Sequence, residues 1–232
     1  MKILEKISNK LNYKKSSKKR NIEFLVEHYS AGTKDTTQNE LDYFARENVG
    51  VSAHDFVDDF SVGHSVPYND VAYHCGVDYS NGKAPYWGKC TNYNSIGIEM
   101  CALKDDKILD LRNPTINNAI ILTKQLMKEY NIDADHVVRH YDVCGKNCPA
   151  PLVEDAAAWK CFKYNLQTPF KVKTTKEGVK AYSKIGGAVV DKFELGKKIT
   201  ITEVYLQNEH LYAKSKKGIF FRLKYTKKLV TR

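Results

Sequence analysis

Long apolar runs are what these 232 residues most plainly lack. No stretch approaches the ~20 apolar residues that a membrane-spanning helix requires. The opening MKILEKISNKLNYKKSSKKR carries basic residues without an unbroken apolar core, so no signal peptide is expected there. Acidic residues are scarce at both ends. Residues 1–20 hold eight Lys or Arg against one acid, residues 21–167 thirteen against twenty-one, and residues 168–232 sixteen against five. A mildly acidic middle thus lies between a basic arm and a basic C-terminal segment, and such ends suit a polyanionic partner. A solvated lysine surface that only keeps the chain soluble is the competing reading. No nucleic-acid motif is present, so no specific nucleic-acid partner is expected. The signature of wholesale disorder is missing as well: 42% hydrophobic and 28% charged residues are a globular composition. The length admits one large domain, or a medium one with a smaller companion.

Cysteine is present six times, as Cys75, Cys90, Cys101, Cys144, Cys148 and Cys161. A long, lysine-rich chain is nevertheless a poor disulfide scaffold, and reduced thiols with one or two used for chemistry are expected. The densest chemistry is RHYDVCGKNCPAP, residues 139–151. A catalytic zinc site commonly takes three protein ligands and keeps a fourth position open. His140 and one cysteine could supply two from this loop, and His28, near the end of an early strand, has the right chemistry for a third. Taken alone the loop leaves other readings open. A lone histidine is more often hydrogen-bonded than metal-bound, and Cys144 with Cys148 could form a disulfide.

The local patterns place these residues on elements. IEFLVEHYS, from Ile22, alternates as a strand with Phe24, Val26 and His28 on one face. TQNELDYFARENVG reads as a short helix capped by Thr37 and stopped at Gly50. VSAHDFVDDFSVGHSVP reads as a hairpin turning near DDFSVG. YNSIGIEMCAL is a further strand, with Ile96, Ile98 and Met100 opposite Gly97, Glu99 and Cys101; Glu99 is then either exposed or groove-lining. NPTINNAIILTKQLMKEYNI is the clearest helix, with Pro114 in its first turn, and PLVEDAAAWKCFKYN is the last. Beyond about residue 168 come short alternating runs separated by KEG, IGG, ELGKK and SKKG, the texture of a small all-β barrel. Three segments are expected: a basic arm at 1–20, either disordered or a short amphipathic helix (Ile3, Leu4, Ile7, Leu11); an α/β domain at 21–167; and the β-barrel at 168–232.

In order along the chain, VEHYSAG, SAHDFVDD, VAYHCG, NSIGIEMC and RHYDVCGKNCPAP together resemble the zinc-dependent N-acetylmuramoyl-L-alanine amidases of the type-2 family, which includes phage endolysins, autolysins and animal peptidoglycan-recognition proteins. The resemblance spans roughly residues 22–160. It implies a central, mainly mixed β-sheet flanked by helices, of the phage lysozyme-amidase type. It implies Zn2+ as cofactor, with His28, His140 and Cys148 as ligands and Cys144 as a spare, structural thiol. Lys146 matches the lysine that polarises the scissile carbonyl, Glu99 the general base, and His74 a substrate-groove residue beside the metal. His54 and His64 are expected to be structural or groove residues, and His136 and His210 surface ones. One departure is Ala53, where some relatives carry a catalytic tyrosine, which shifts weight to Glu99.

The implied activity is hydrolysis of the amide between N-acetylmuramic acid and L-alanine in bacterial peptidoglycan, by a phage or prophage endolysin. It would wait in the host cytoplasm until release and then act on the wall. More loosely, residues 168–232 resemble bacterial Src-homology-3-like wall-binding barrels, and their basic charge suits anionic wall polymers. The alternative is a non-catalytic peptidoglycan-recognition protein. Relatives that only bind have typically lost the cysteine ligand, and Cys148 is present.

Overall fold

The computed structural model describes residues 1–229. They fall into two units, one of Met1–Lys107 with Asn113–Glu154, the other of Ile108–Arg112 with the chain from Asp155 onward.

The first unit contains strands β1 (Lys2–Glu5), β2 (Tyr13–Lys14) and β3 (Phe24–Tyr29), helix α1 (Thr37–Arg46), strands β4 (Asp55–Val57), β5 (Ser61–His64), β6 (Val71–Ala72) and β7 (Ser95–Met100), helix α2 (Pro114–Tyr130), strand β8 (Val137–Arg139), and short helices α3 (His140–Cys144) and α4 (Ala150–Glu154). Six strands form one sheet in the order β1-β5-β4-β7-β3-β8. Only the β4–β5 hairpin is antiparallel, so the sheet is mixed, as the resemblance implied. The hairpin turns on Asp58, whose Oδ1 accepts from the backbone of Phe60 and Ser61. Strands β3 and β7 have neighbours on both sides and are covered on both faces. The alternation in IEFLVEHYS therefore does not separate buried from exposed: Leu25 and Glu27 are as buried as Val26. Helix α2 covers one face, and its Thr123 donates to Glu27 Oε1 at 2.7 Å.

Helix ends follow side-chain chemistry. Asn113 caps α2 through a hydrogen bond from Ile116 N, Pro114 occupies the first turn, and Asn131 closes the helix in the left-handed region. Helix α1 is capped by Thr36 rather than Thr37, which is buried, and it ends at Arg46, before Gly50.

The first twenty residues are neither a disordered arm nor an amphipathic helix. Strand β1 adds in parallel to β5 at the sheet edge, and β2 pairs with β6. The segment ends in Arg20, whose guanidinium donates to the carbonyls of Tyr68 and Asn92 at 2.9 and 2.7 Å and also to those of Asp70 and Ser95. Its Nε also donates to Tyr93 O at 3.1 Å, so one cation reaches five backbone carbonyls.

The second unit begins earlier than the expected boundary at 167/168. PLVEDAAAWKCFKYN is broken at Asp155, whose carboxylate accepts from Ala157 N and Ala158 N and starts a new helix, α5 (Ala156–Leu166). Helix α5 packs mainly on β12 (Lys198–Gln207) and β13 (His210–Ser215), and the unit's other strands are β9 (Phe170–Thr174), β10 (Val179–Tyr182), β11 (Val189–Phe193), β14 (Phe220–Arg222) and β15 (Thr226–Lys228). These form an antiparallel sheet in the order β11-β10-β14-β13-β12-β9-β15. Cys161 shares its core with Val172, Val204, Ala213 and Phe221. Asn165 donates to Val204 O and accepts from Val204 N, tying the helix to β12.

Candidate active site

Parallel pairing of β3 with β7 sets His28 directly beside Glu99, and β3 with β8 brings the chain that begins α3 to the same edge. His140 is the first residue of α3. Gly145 ends that helix at φ +84°, where a Cβ would stand 2.8 Å from the Ser80 Cβ, so a glycine is required for the reversal that returns Cys148 to His28. His28 Nδ1, Cys148 Sγ and a ring nitrogen of His140 lie within 4.8 Å of one another, all on buried residues, with Sγ 3.8 Å from His28 Nδ1. Among the described residues this is the only His/Cys/Asp/Glu group that could hold a metal ion.

Hydrogen bonding settles which nitrogen of each ring faces the centre. His28 Nε2–H donates to His74 Nδ1 at 3.1 Å, His74 Nε2–H to Ser95 Oγ at 3.2 Å, and the Ser95 hydroxyl to Thr91 O at 2.6 Å. Each group has one donor to give, and the backbone carbonyl ends the chain. The lone pair of His28 Nδ1 is left free. His140 Nε2–H donates to Cys75 O at 3.0 Å, while His140 Nδ1 is buried without a partner. An orphaned buried acceptor is costly unless something fills it. Two neutral imidazoles and a thiol turned inward fit a zinc-type ion.

Electrostatics agree with that fit. Burial, with the neighbouring His140 and His74, holds His28 well below its ordinary range, and burial likewise holds His140 at about 4, so both are neutral near pH 7. Burial pushes the Cys148 thiol up, so its thiolate forms only with a compensating cation. The Glu99 carboxyl is raised to about 8, first by burial and then by Glu40, against the opposing pull of Lys146. Its Oε1 is 3.9 Å from His28 Nδ1, and its Oε2 is buried with no partner. Glu99 is thus the groove-lining residue of the two possibilities its strand allowed.

These groups line a cleft of about 340 Å³. Lys146 is exposed at its rim, and Tyr29, Phe44, Tyr73 and Tyr79 supply aromatic wall. His74 also lines the cleft, but both its nitrogens are engaged, and its ring fills the space over Gly97, where a Cβ would stand 2.7 Å away. Ala53 is not at the wall; it is buried with Leu41, Phe56 and Cys101. The other histidines lie apart from the cleft. His54 accepts from Gly97 N, His64 pairs with buried Asp55, His136 bonds Asp133, and His210 is exposed in the second unit. Cys144 is buried and outside the ligand trio. The Cys75 carbonyl, which holds His140, and Ser95, which holds His74, carry no pattern in the sequence that marks them.

A cleft at the ends of parallel strands, with two imidazoles and a thiol around one point and a carboxyl and an ammonium beside them, has the donor set of a metallohydrolase. The chain belongs to the N-acetylmuramoyl-L-alanine amidase family, whose model matches residues 18–151. Among curated proteins it is similar to the N-acetylmuramoyl-L-alanine amidase CwlL of Bacillus licheniformis, 33% identical over 186 residues, covering 77% of this chain and 51% of that one. Among solved structures it is similar to the catalytic domain of XlyA, with TM-score 0.57 and 27% identity, covering 72% of this chain and 99% of that one. A mutant endolysin from Bacillus subtilis gives TM-score 0.56 at 27% identity with the same coverage. The chain spans about half the length of the curated relatives it matches. Among the described residues no helix is long and apolar enough to cross a membrane.

Proposed function

We propose that the first unit hydrolyses the amide between N-acetylmuramic acid and L-alanine in bacterial peptidoglycan, as an endolysin does, with a zinc ion held by His28, His140 and Cys148. The observation that carries this reading is the convergence of the three inward-facing donors beside Glu99 Oε2, a buried carboxyl oxygen without a partner. Zinc supplies Lewis acidity toward the scissile carbonyl and makes water nucleophilic near neutral pH.

The protein's own groups do the rest. Glu99 takes the proton of the attacking water at its free oxygen and hands it to the leaving amine. The Lys146 ammonium, flexible at the rim, offsets the negative charge that develops on the carbonyl oxygen. His74 orients His28 and presents its ring to the groove. Tyr29, Tyr73 and Tyr79 give sugar and peptide an amphipathic wall. The second unit, with its excess of basic residues, is read as a wall-binding module of the Src-homology-3-like barrel type. Its partner is then the wall, with anionic polymers included.

Purified Gram-positive cell walls test the reading. New amino groups and new reducing ends are followed with and without prior zinc removal. Zinc-dependent amine release without reducing ends is expected. Bound walls with neither product would make the chain a recognition protein and its trio a structural clasp.

A further inference from the structure

The second unit carries a hollow of its own, about 450 Å³, between one face of α5 and the strand ends that follow β12 and β14. Ala157, Lys160 and Tyr164 recur at helical spacing along that face, and the small side chain of Ala157 leaves the space open. Opposite them stand Arg222 at the end of β14 and Lys224 in the single 3-10 turn after it. The guanidinium carbon of Arg222 lies 5.4 Å over the Tyr212 ring, which fixes the plane of the fork. Its Nε is buried and has no acceptor. Among the described residues, neither Arg222, Lys160 nor Lys224 has a carboxylate within 4.0 Å. The one acid at the rim is Glu209, held there by two successive left-handed residues, Asn208 and Glu209 at φ +50° and +60°.

Three cations without a carboxylate beside them around one hollow suit an anion. The hollow's volume exceeds that of a bare ion and matches a small organic unit. Tyr164, Leu211 and Leu223 add apolar wall for the carbon skeleton of such a unit. We propose that this hollow binds one phosphodiester-linked polyol or sugar repeat of an anionic wall polymer. A fork and two point charges suit a phosphate, whose oxygens accept from several donors at once. The sixteen Lys or Arg against five acids in residues 168–232 match a partner whose charge repeats along its length better than a single terminal carboxylate. The proposal rests on the wall-directed reading above, and it specifies the ligand and the residues that hold it.

The test is calorimetric titration of the full chain with a glycerol-phosphate oligomer. An uncharged polyglycerol of equal length and a soluble muropeptide bearing only carboxylates are run in parallel. The oligomer is expected to bind, more weakly as salt is raised, and the other two not to bind at the hollow. Arg222→Gln and Lys160→Gln should each weaken oligomer binding by about tenfold, whereas Lys180→Gln on β10 should not. Lys160 is exposed, so its variant carries the test should the Arg222 variant not fold. Unchanged oligomer binding in the Lys160 variant, equal binding of the uncharged chain, or binding of the muropeptide that Arg222→Gln abolishes would each overturn the proposal. Amine release from the soluble muropeptide is measured separately on the unsubstituted protein. Its absence would sink the amidase reading without touching the oligomer result.

Discussion

Each of the two inward-facing histidines keeps its lone pair on the cleft side because its other nitrogen is already spent, on His74 for His28 and on the Cys75 carbonyl for His140. On the proposed reading, binding and proton transfer fall to different residues, and substitutions should separate them. Cys148→Ser removes the only donor that can ionise to a thiolate, so metal content and activity should fall together. Glu99→Gln leaves all three donors in place; metal content should be retained while kcat drops by about 10²- to 10⁴-fold, the range for a lost general base. Elemental analysis beside amine-release kinetics reads both, and a Glu99→Gln variant that still turns over would give the proton to another group. Gly97 makes a subtler test. It touches no donor, yet a methyl there would press within 2.7 Å of the His74 ring. Gly97→Ala should therefore move His74, loosen His28 and weaken zinc about 10- to 100-fold, as competition with a chromophoric chelator would measure. Unaltered zinc affinity in a folded Gly97→Ala variant would mean that His74 does not orient His28.

At the level of elements, what could be read in advance follows the range of the interactions involved. Helix α2 was legible because its cap, its first-turn proline and its apolar side are all local. So was the β4–β5 hairpin, which turns on one aspartate. The positions of His28, Glu99 and the 139–151 loop could be placed on their elements, but their meeting depends on strand order and register, which only motif resemblance anticipated. The hydrogen-bond chain through His74, Ser95 and Thr91 was out of reach for the same reason, since it joins β7 to a loop of no distinctive pattern. The break at Asp155 was hidden by good helix formers on its C-terminal side. Strand β1 was missed because four residues at a sheet edge, with Ile3 exposed, carry almost no periodic signal. That first segment is held by Arg20. Arg20→Ala strips the guanidinium from five carbonyls at once. The expected cost is about 3 kcal/mol, taking about 1–3 for each buried group left without a partner and allowing some to reach water. Chemical denaturation checks it, and a loss below about 1 kcal/mol would show that the segment is not pinned at this residue.

For the whole molecule, the division at Glu154/Asp155 decides what each half can do without the other. Helix α5 follows the site motifs in sequence but puts Cys161 and Asn165 into the second unit's core, where the Asn165 side chain bonds both the N–H and the carbonyl of Val204. Asp110 belongs there as well, accepting from Leu206 N at 2.7 Å. Two truncations then behave differently, although they differ by only thirteen residues. A chain ending at Glu154 loses the second unit except for the short 108–112 segment, Ile-Leu-Asp-Leu-Arg, and its cleft residues all lie before the cut. It should stay monomeric and release amine from a soluble muropeptide at nearly the full rate while losing affinity for whole walls. A chain ending at Gln167 keeps α5 but removes β12, so the face bearing Cys161 and Asn165 meets water, and buried polar and apolar groups lose their partners together. That longer fragment should aggregate at concentrations where the shorter one does not. Size-exclusion chromatography of both fragments, with the soluble assay on each, reads the outcome. If the longer fragment were the better behaved, α5 would belong to the catalytic unit, and the boundary would return to the place where the β-rich texture of the sequence begins.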